Sequence, residues 1–224
     1  MLLDADRLCL RRAGATVVIV TVVGLLAGGC RSDRVTPSGF LGDYSGMEPL
    51  PEDPSILYAE KPNVDWKVYK KLQFDPVTVS YAPDARNRQI DPAELKKLTD
   101  YAVNAAREAV QDAYPVVQEP GPDVLLVRAA LTDVIPASPL VNLATTAALF
   151  VPLDMGGAAI EVEFVDSRSG ERLAALVDRR IGFPLHPGDF VQGFTKWGHA
   201  KRAFDQWARL LREGLDEAHG KKPQ

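Results

Sequence analysis

The sequence predicts an α+β domain: a mixed sheet of about four strands, with two main helices, 92–114 and 196–218, packed on one of its faces. Three observations predict it. Two long segments carry a single apolar stripe at helical period. Four short segments alternate or run apolar at strand length. Clusters of Gly, Pro, Asp and Ser separate them. Helices with one apolar face each suit a two-layer sandwich, in which the opposite face of each helix stays in water.

Residues 31–62 hold Pro37, Pro49, Pro51, Pro54 and Pro62 with Gly39, Gly42 and Gly46, and read as an extended tether. Within it Gly39-Phe40-Leu41-Gly42-Asp43-Tyr44 is too apolar for a linker, so Phe40, Leu41 and Tyr44 are expected to dock on the folded body. The alternative is a partner-binding peptide. In Tyr69–Tyr81, Val77, Val79 and Tyr81 alternate with polar residues as a half-buried strand does, and Pro76 marks an edge or a break.

Asp91-Pro92-Ala93-Glu94 opens the first helix: Asp91 caps, Pro92 suits the first turn, and Glu94 completes a capping box. Leu95, Leu98, Ala102, Ala105, Ala106, Ala109 and Ala113 fall on one stripe, whose small side chains permit close approach, and Pro115 ends it. Asp123–Val134 is a central-strand candidate, with Arg128 alone on a semi-apolar face, either paired or at a rim. Ala158–Val165 and Leu173–Ile181 form a hairpin across a turn in which Gly170 can take positive φ. There Ile160, Val162 and Phe164 face one way and Glu161 and Glu163 the other. The carboxylates Glu161, Glu163, Asp166, Glu171 and Asp178 are expected on a solvated face and turn; a cation or acid/base site is the alternative. In the closing helix Trp197, Ala200, Phe204, Trp207, Ala208, Leu211 and Leu215 form the stripe.

Ile135–Gly157 joins two strand candidates and is less ordinary. No charged residue lies from Pro136 to Leu153, and the Pro-free run Leu140–Val151 is too short to span a bilayer. Long apolar connections are uncommon and often functional. Three readings are open: a short helix folded into the core, an oligomer or partner contact, or a segment that dips into a membrane.

The start of the chain carries an address. Arg7, Arg11 and Arg12 precede an apolar run, Val17–Ala27, of signal-peptide length, followed by Ala27-Gly28-Gly29-Cys30. Small residues before a cysteine resemble the lipobox of bacterial lipoproteins, with Ala27 where that pattern has Leu. The resemblance implies a signal peptide over residues 1–29, cleavage between Gly29 and Cys30, and acylation of Cys30. An uncleaved membrane anchor is the alternative. Arg31 in place of Asp after the cysteine leans towards the outer membrane, with the domain facing the periplasm. The expected domains are therefore the signal peptide 1–29, a lipidated Cys30 with tether over 30–62, and one α+β domain over 63–220.

The totals exclude other classes. The net charge is −4, and residues 1–29 hold three Arg against two Asp, leaving the remainder near −5. A nucleic-acid binder needs a basic face, and none is expected here. Cys9 and Cys30 are the two cysteines; with Cys9 in the leader, neither a disulfide nor a Cys/His metal cluster is expected. There is no phosphate-binding loop, dinucleotide fingerprint or nucleophile elbow. His186 lies in a turn, His199 on the closing helix between core and solvent, and His219 near the end. No nucleophile–base pair can be nominated, so the reading is non-enzymatic and without a cofactor other than covalent lipid on Cys30.

Several stretches together carry a family resemblance. They are Ser38-Gly39-Phe40-Leu41-Gly42-Asp43-Tyr44-Ser45, Tyr69-Lys70-Lys71, Pro120-Gly121-Pro122-Asp123-Val124-Leu125 and Ala130-Leu131-Thr132-Asp133-Val134. Glu161-Val162-Glu163-Phe164-Val165-Asp166-Ser167 with Gly170-Glu171, then Trp197 and Phe204-Asp205-Gln206-Trp207-Ala208, complete the series. Their order, from Ser38 to Glu217, resembles the bacterial lipoprotein family catalogued as domain of unknown function 3313. Ser169 stands where that family often has Thr. The resemblance implies an envelope location and a single α/β domain, and supplies no catalytic residues. The expected function is a membrane-anchored envelope lipoprotein acting by protein contact, as a homo-oligomer or as an accessory of a larger complex. Its candidate contact surface is Leu140, Val141, Leu143, Leu149, Phe150 and Val151. The alternative is a binder of a small lipid or glycan fragment.

Overall fold

A computed structural model of the chain describes residues 35–51, 53–183 and 186–221. The signal segment, Gly29 and Cys30 lie outside the described residues. In chain order the elements are β1 (Glu48–Pro49), β2 (Leu57–Glu60), β3 (Lys71–Phe74), β4 (Thr78–Val79) and α1 (Pro92–Val110). Next come β5 (Val124–Ile135), α2 (Pro139–Leu149), β6 (Gly157–Asp166), β7 (Arg172–Ile181), α3 (Pro187–Phe190) and α4 (Gly198–Ala218).

The expected α+β layering is present, but the described residues hold seven strands in one sheet where about four were expected. The order is β1-β2-β7-β6-β5-β3, with β4 also paired to β5. Pairings from β1 to β5 are antiparallel, whereas β3 and β4 run parallel to β5. The extra strands are short and interrupted. Pro76, which lacks an amide proton, separates β3 from β4. β1 and β2 sit inside the Pro-rich stretch read as a tether, with Pro49 on the outermost strand, where a missing donor is tolerated. Gly170 takes φ +73° in the turn from β6 to β7.

Alternation along β6 assigns the two sides of the sheet. On one side Ile160, with Leu131, Val134 and Ala158, packs against Leu98 of α1 and Ala200, Ala203 and Phe204 of α4. A second cluster joins Leu72, Phe74, Leu125 and Val127 to Val110, Tyr114 and Leu215. The Asp91 cap of α1 forms, Oδ1 accepting the amides of Ala93 and Glu94 at 3.0 and 3.1 Å, whereas the Glu94 carboxylate pairs with Lys196 at 2.6 Å.

The other side of the sheet is covered as well. Val35 and Leu41 are buried with Ala175 and Val177 of β7, and Phe40, Tyr44, Met47 and Leu57 pack around them. The expected docking of Phe40, Leu41 and Tyr44 is thus observed. A tether extending to residue 62 is not, because the chain lies on the sheet from Val35 and enters it at β1.

This cover overturns the reading of the acidic strand face as solvated. Glu161 and Asp178 are fully buried and Glu163 is 5% exposed. An unpaired carboxylate at such a depth would cost several kcal/mol or more, and each here has partners. Glu161 accepts the Ser38 amide and the Tyr44 hydroxyl, both at 2.6 Å. Glu163 pairs with Arg128 at 2.6 Å and Arg172 at 2.8 Å, which settles Arg128 as a paired residue. Arg172 also donates to the carbonyls of Leu41 and Asp43. Asp178, on the helix side, accepts from Arg180 at 2.6 Å and from the Trp207 indole at 2.8 Å.

Candidate functional site

The uncharged connection between β5 and β6 folds as α2. Ser138 caps it through its Oγ, 3.4 Å from the Val141 amide, and Pro139 occupies the first turn. The helix closes on Phe150, which holds a left-handed backbone (φ 62°, ψ 14°) with its amide on the Thr146 carbonyl. That conformation suits glycine and strains a residue with a bulky side chain.

Polar groups hold this helix to the body. Asn142, its one fully buried residue, donates from Nδ2 to the carbonyls of Asp154 at 2.8 Å and Gly193 at 2.7 Å. Its Oδ1 accepts the Asp154 amide at 2.7 Å, and the Asp154 carboxylate accepts the Ser138 amide at 2.7 Å. The apolar side chains point out. Leu140 is 79% exposed, Leu143 61%, Leu149 57% and Phe150 83%. Val141 is exposed too, and Val151 is half-buried.

The reading of this segment as a core helix is therefore corrected: the helix forms but supplies no core. The physical reason is the single polar residue. Asn142 must bury to satisfy its amide, and rotating the helix to sink the leucines would strip it of three partners. Exposed Leu153 and Val191 extend the apolar surface. Leu153 belongs to the uncharged segment already singled out, whereas Val191, in the 3-10 turn Val191–Phe194, carries no sequence signal. Single exposed apolar residues are ordinary; seven large ones on and beside one helix form a patch of the kind that marks contact sites.

Between the end of β7 and α4 lies a small polar cavity of about 130 Å3, lined by Arg180, Gly182, Asp189, His199, Arg202 and Gln206. His199 is 3% exposed, which corrects its expected place between core and solvent. Its ring lies against the backbone of Gly182, where a Cβ would fall 2.3 Å from Nδ1. Neither ring nitrogen has a hydrogen-bond partner among the described residues. Burial holds the imidazole below its ordinary pKa, against the opposing pull of the Asp189 carboxylate 3.9 Å away. Arg202 pairs with the same carboxylate at 2.9 Å.

Among the described residues no group of three or more His, Cys, Asp and Glu could hold a metal ion, and no helix is long and apolar enough to cross a membrane.

The chain is similar to several known proteins. The chain is 30% identical over 122 residues to the uncharacterized lipoprotein YdcL of Escherichia coli K12, a match covering 52% of this chain. The match spans 54% of YdcL, about half the length of that relative. Among solved structures, a PelC dodecamer from Paraburkholderia phytofirmans is 9% identical with a TM-score of 0.39, over 67% of this chain and 93% of that one. A DUF4136 family protein from Bacteroides thetaiotaomicron is 7% identical with a TM-score of 0.37, over 73% and 96%. The sequence profile of one family covers residues 36–211, from the segment that caps Glu161 to the last turns of α4, and the chain belongs to that family, the proteins of unknown function DUF3313.

Proposed function

We propose that the chain is a membrane-anchored envelope lipoprotein that acts by contact and not by turnover, with α2 and Phe150 as its contact face. The observation that carries the reading is the projecting helix: an uncharged segment, pinned by Asn142, that exposes its leucines and a strained phenylalanine. Apolar surface kept in water is unfavourable by about 25 cal/mol per Å2, and the same burial is recovered when a partner covers it. Lipidation at Cys30 is supported by the lipobox and by the lipoprotein relative. Arg31 favours the outer membrane, with the domain in the periplasm.

In its protein-partner form, the reading takes a second copy or a larger envelope assembly as what covers the helix. Crosslinking the lipidated protein in intact membranes tests it. Leu143→Asp and Leu149→Asp are expected to abolish crosslinks and leave the far-ultraviolet circular dichroism unchanged. If both variants unfold, the leucines belong to the core and the contact face is lost as an idea.

The alternative reading, a binder of lipid or glycan fragments, calls for an apolar cavity. The space at His199 is about 130 Å3 and lined by charged groups, whereas pockets for such ligands run from about 300 to 1,000 Å3. The contact reading rests instead on the exposed apolar side chains of α2.

A further inference from the structure

The large apolar side chains left in water are not spread over the protein. Among the described residues ten are exposed, and eight of these lie together. Five belong to α2 and its closing residue Phe150; Leu153, Phe183 and Val191 are the others. Hydrogen bonds tie the segments into one surface. The Leu153 amide donates to Thr145 Oγ1 on α2 at 3.3 Å. Asn142 of α2 holds the Gly193 carbonyl, two residues after Val191. The Phe183 amide donates to the carboxylate of Asp189, two residues before Val191, at 3.1 Å. Val68, ahead of β3, and Leu210, on α4, are the remaining two.

That distribution decides how copies of the chain can meet. An apolar patch can seat on a different surface of the next copy, which propagates, or on the same surface, which closes as a two-fold dimer. The first needs a second apolar surface of like size, and Val68 and Leu210 do not make one. Strand addition, another route between identical chains, is blunted at both edges of the sheet. On one edge β1 is two residues long and carries Pro49; on the other Pro76 parts β3 from β4. Closure needs a face that tolerates its own copy. No charged residue lies from Pro136 to Leu153, so a two-fold axis over α2 sets no like charges of this segment against each other.

The area fits as well. A Val, Leu or Phe side chain carries about 60–120 Å2 of apolar surface. The eight are each between about half and four-fifths exposed, so the surface offers roughly 500 Å2. A stable interface buries about 800 Å2 per partner, and about two-thirds of that is apolar in homodimers, which is again roughly 500 Å2. On the outward side of α2 stand Ala144 and Ala147, both exposed, and small side chains at a crossing let two helices approach closely.

We propose that the partner of α2 is the same helix of a second copy, in a closed two-fold dimer whose axis passes over Ala144 and Ala147. The inference rests on the contact reading above and names its partner.

The test uses the full mature chain in intact membranes. Ala144→Cys and Ala147→Cys each place one thiol beside the axis, Ser169→Cys places one in the turn between β6 and β7, and the parent chain is the blank for Cys30. With a short bismaleimide, the first two are expected to give a two-chain species at least fivefold more abundant than the third. Adding Leu143→Asp to Ala147→Cys is expected to remove that species and leave the far-ultraviolet circular dichroism unchanged. Equal yields at 144, 147 and 169 overturn the dimer. A lysine-reactive crosslinker is expected to stop at two chains, and a ladder running past two overturns closure. A photo-crosslinker at position 143 separates failure of the dimer from failure of the contact reading. An adduct with a second copy is expected. An adduct with lipid or with a different protein overturns the dimer and keeps the contact reading under another partner; no adduct of any kind ends both.

Discussion

The hydroxyl of Tyr44 donates a 2.6 Å hydrogen bond to Oε2 of Glu161, joining positions 117 residues apart. The other carboxylate oxygen accepts the Ser38 amide. One segment of ten or so residues thus satisfies a fully buried acid in the middle of the sheet, and the acid in turn fixes the segment that leads back to Cys30. Removing one partner leaves the other stranded, at about 1–3 kcal/mol. Tyr44→Phe and Glu161→Leu are each expected to lower stability by that order in urea denaturation. The double variant should lose less than the sum, because both polar groups leave together. Strict additivity would mean that the bond contributes nothing.

This pair also marks where reading the sequence stopped. The alternation of Glu161 and Glu163 with Val162 and Phe164 is legible, and it assigns the sides of β6 correctly. Its interpretation as a solvated face assumed that a two-layer sandwich leaves one side of the sheet in water. The cover on that side comes from Val35–Met47, whose Gly and Pro content reads as linker. Periodicity reports which residues share a side, not what lies across from them. The same limit applies at α2. Its lack of charge is plain in the sequence, and so is its candidate surface at Leu140, Leu143, Leu149 and Phe150. The direction it faces is decided by Asn142, whose partners at Asp154 and Gly193 are contacts of tertiary structure. The two main helices were legible apart from their ends, because their stripes and the Asp91 cap are local; α1 stops at Val110 and not at 114, and α4 starts at Gly198 and not at 196.

A second prediction concerns the His199 ring on Gly182. An alanine Cβ at 182 would sit 2.3 Å from Nδ1 and 2.5 Å from Cε1 of the imidazole. The ring is buried, so Gly182→Ala is expected to cost about 1–3 kcal/mol as an overpacked site. His199→Ala removes the obstruction. In thermal unfolding the double variant should therefore be less destabilised than the two single losses added together. Independent, additive losses would show that the ring and the glycine do not press on each other.

Stability should also depend on pH through Tyr114 and Asp216, which share a 2.7 Å hydrogen bond at the contact of α1 and α4. Burial works to raise the Asp216 pKa, but the hydrogen bonds from Arg212 and Tyr114 outweigh it and hold the carboxyl below its ordinary value. A lowered carboxyl pKa contributes stability that is full above about pH 4 and is lost as pH falls through the folded value. Burial, then the bond to Asp216, raises the Tyr114 phenol. A raised phenol contributes stability that is full below about pH 10 and is lost as pH climbs through its folded value. Tyr69, buried and bonded to Asp166, behaves likewise and is pushed up to about 12. The urea midpoint should form a plateau between those limits. Tyr114→Phe should lower the plateau and soften its alkaline edge, and an unchanged alkaline edge would sink the assignment.

The last prediction separates backbone strain from surface contact at Phe150. A left-handed backbone at a non-glycine residue costs about 1–2 kcal/mol, and the Phe150 ring is 83% exposed, so packing does not repay it. Strain of this kind persists where a site needs the side chain. Phe150→Gly relieves the conformation and deletes the ring in one step. Partly offset by the added flexibility of the unfolded chain, it is expected to leave stability unchanged or raise it by up to about 1 kcal/mol. The same substitution should weaken the crosslinks that the contact face forms in intact membranes, because the largest apolar group of the helix is gone. Gain in the urea midpoint together with loss of crosslinks would show a residue kept against its own conformational preference for the sake of a contact. A clear loss of stability would instead place the ring in the packing of the domain, and unchanged crosslinks would remove Phe150 from the contact face.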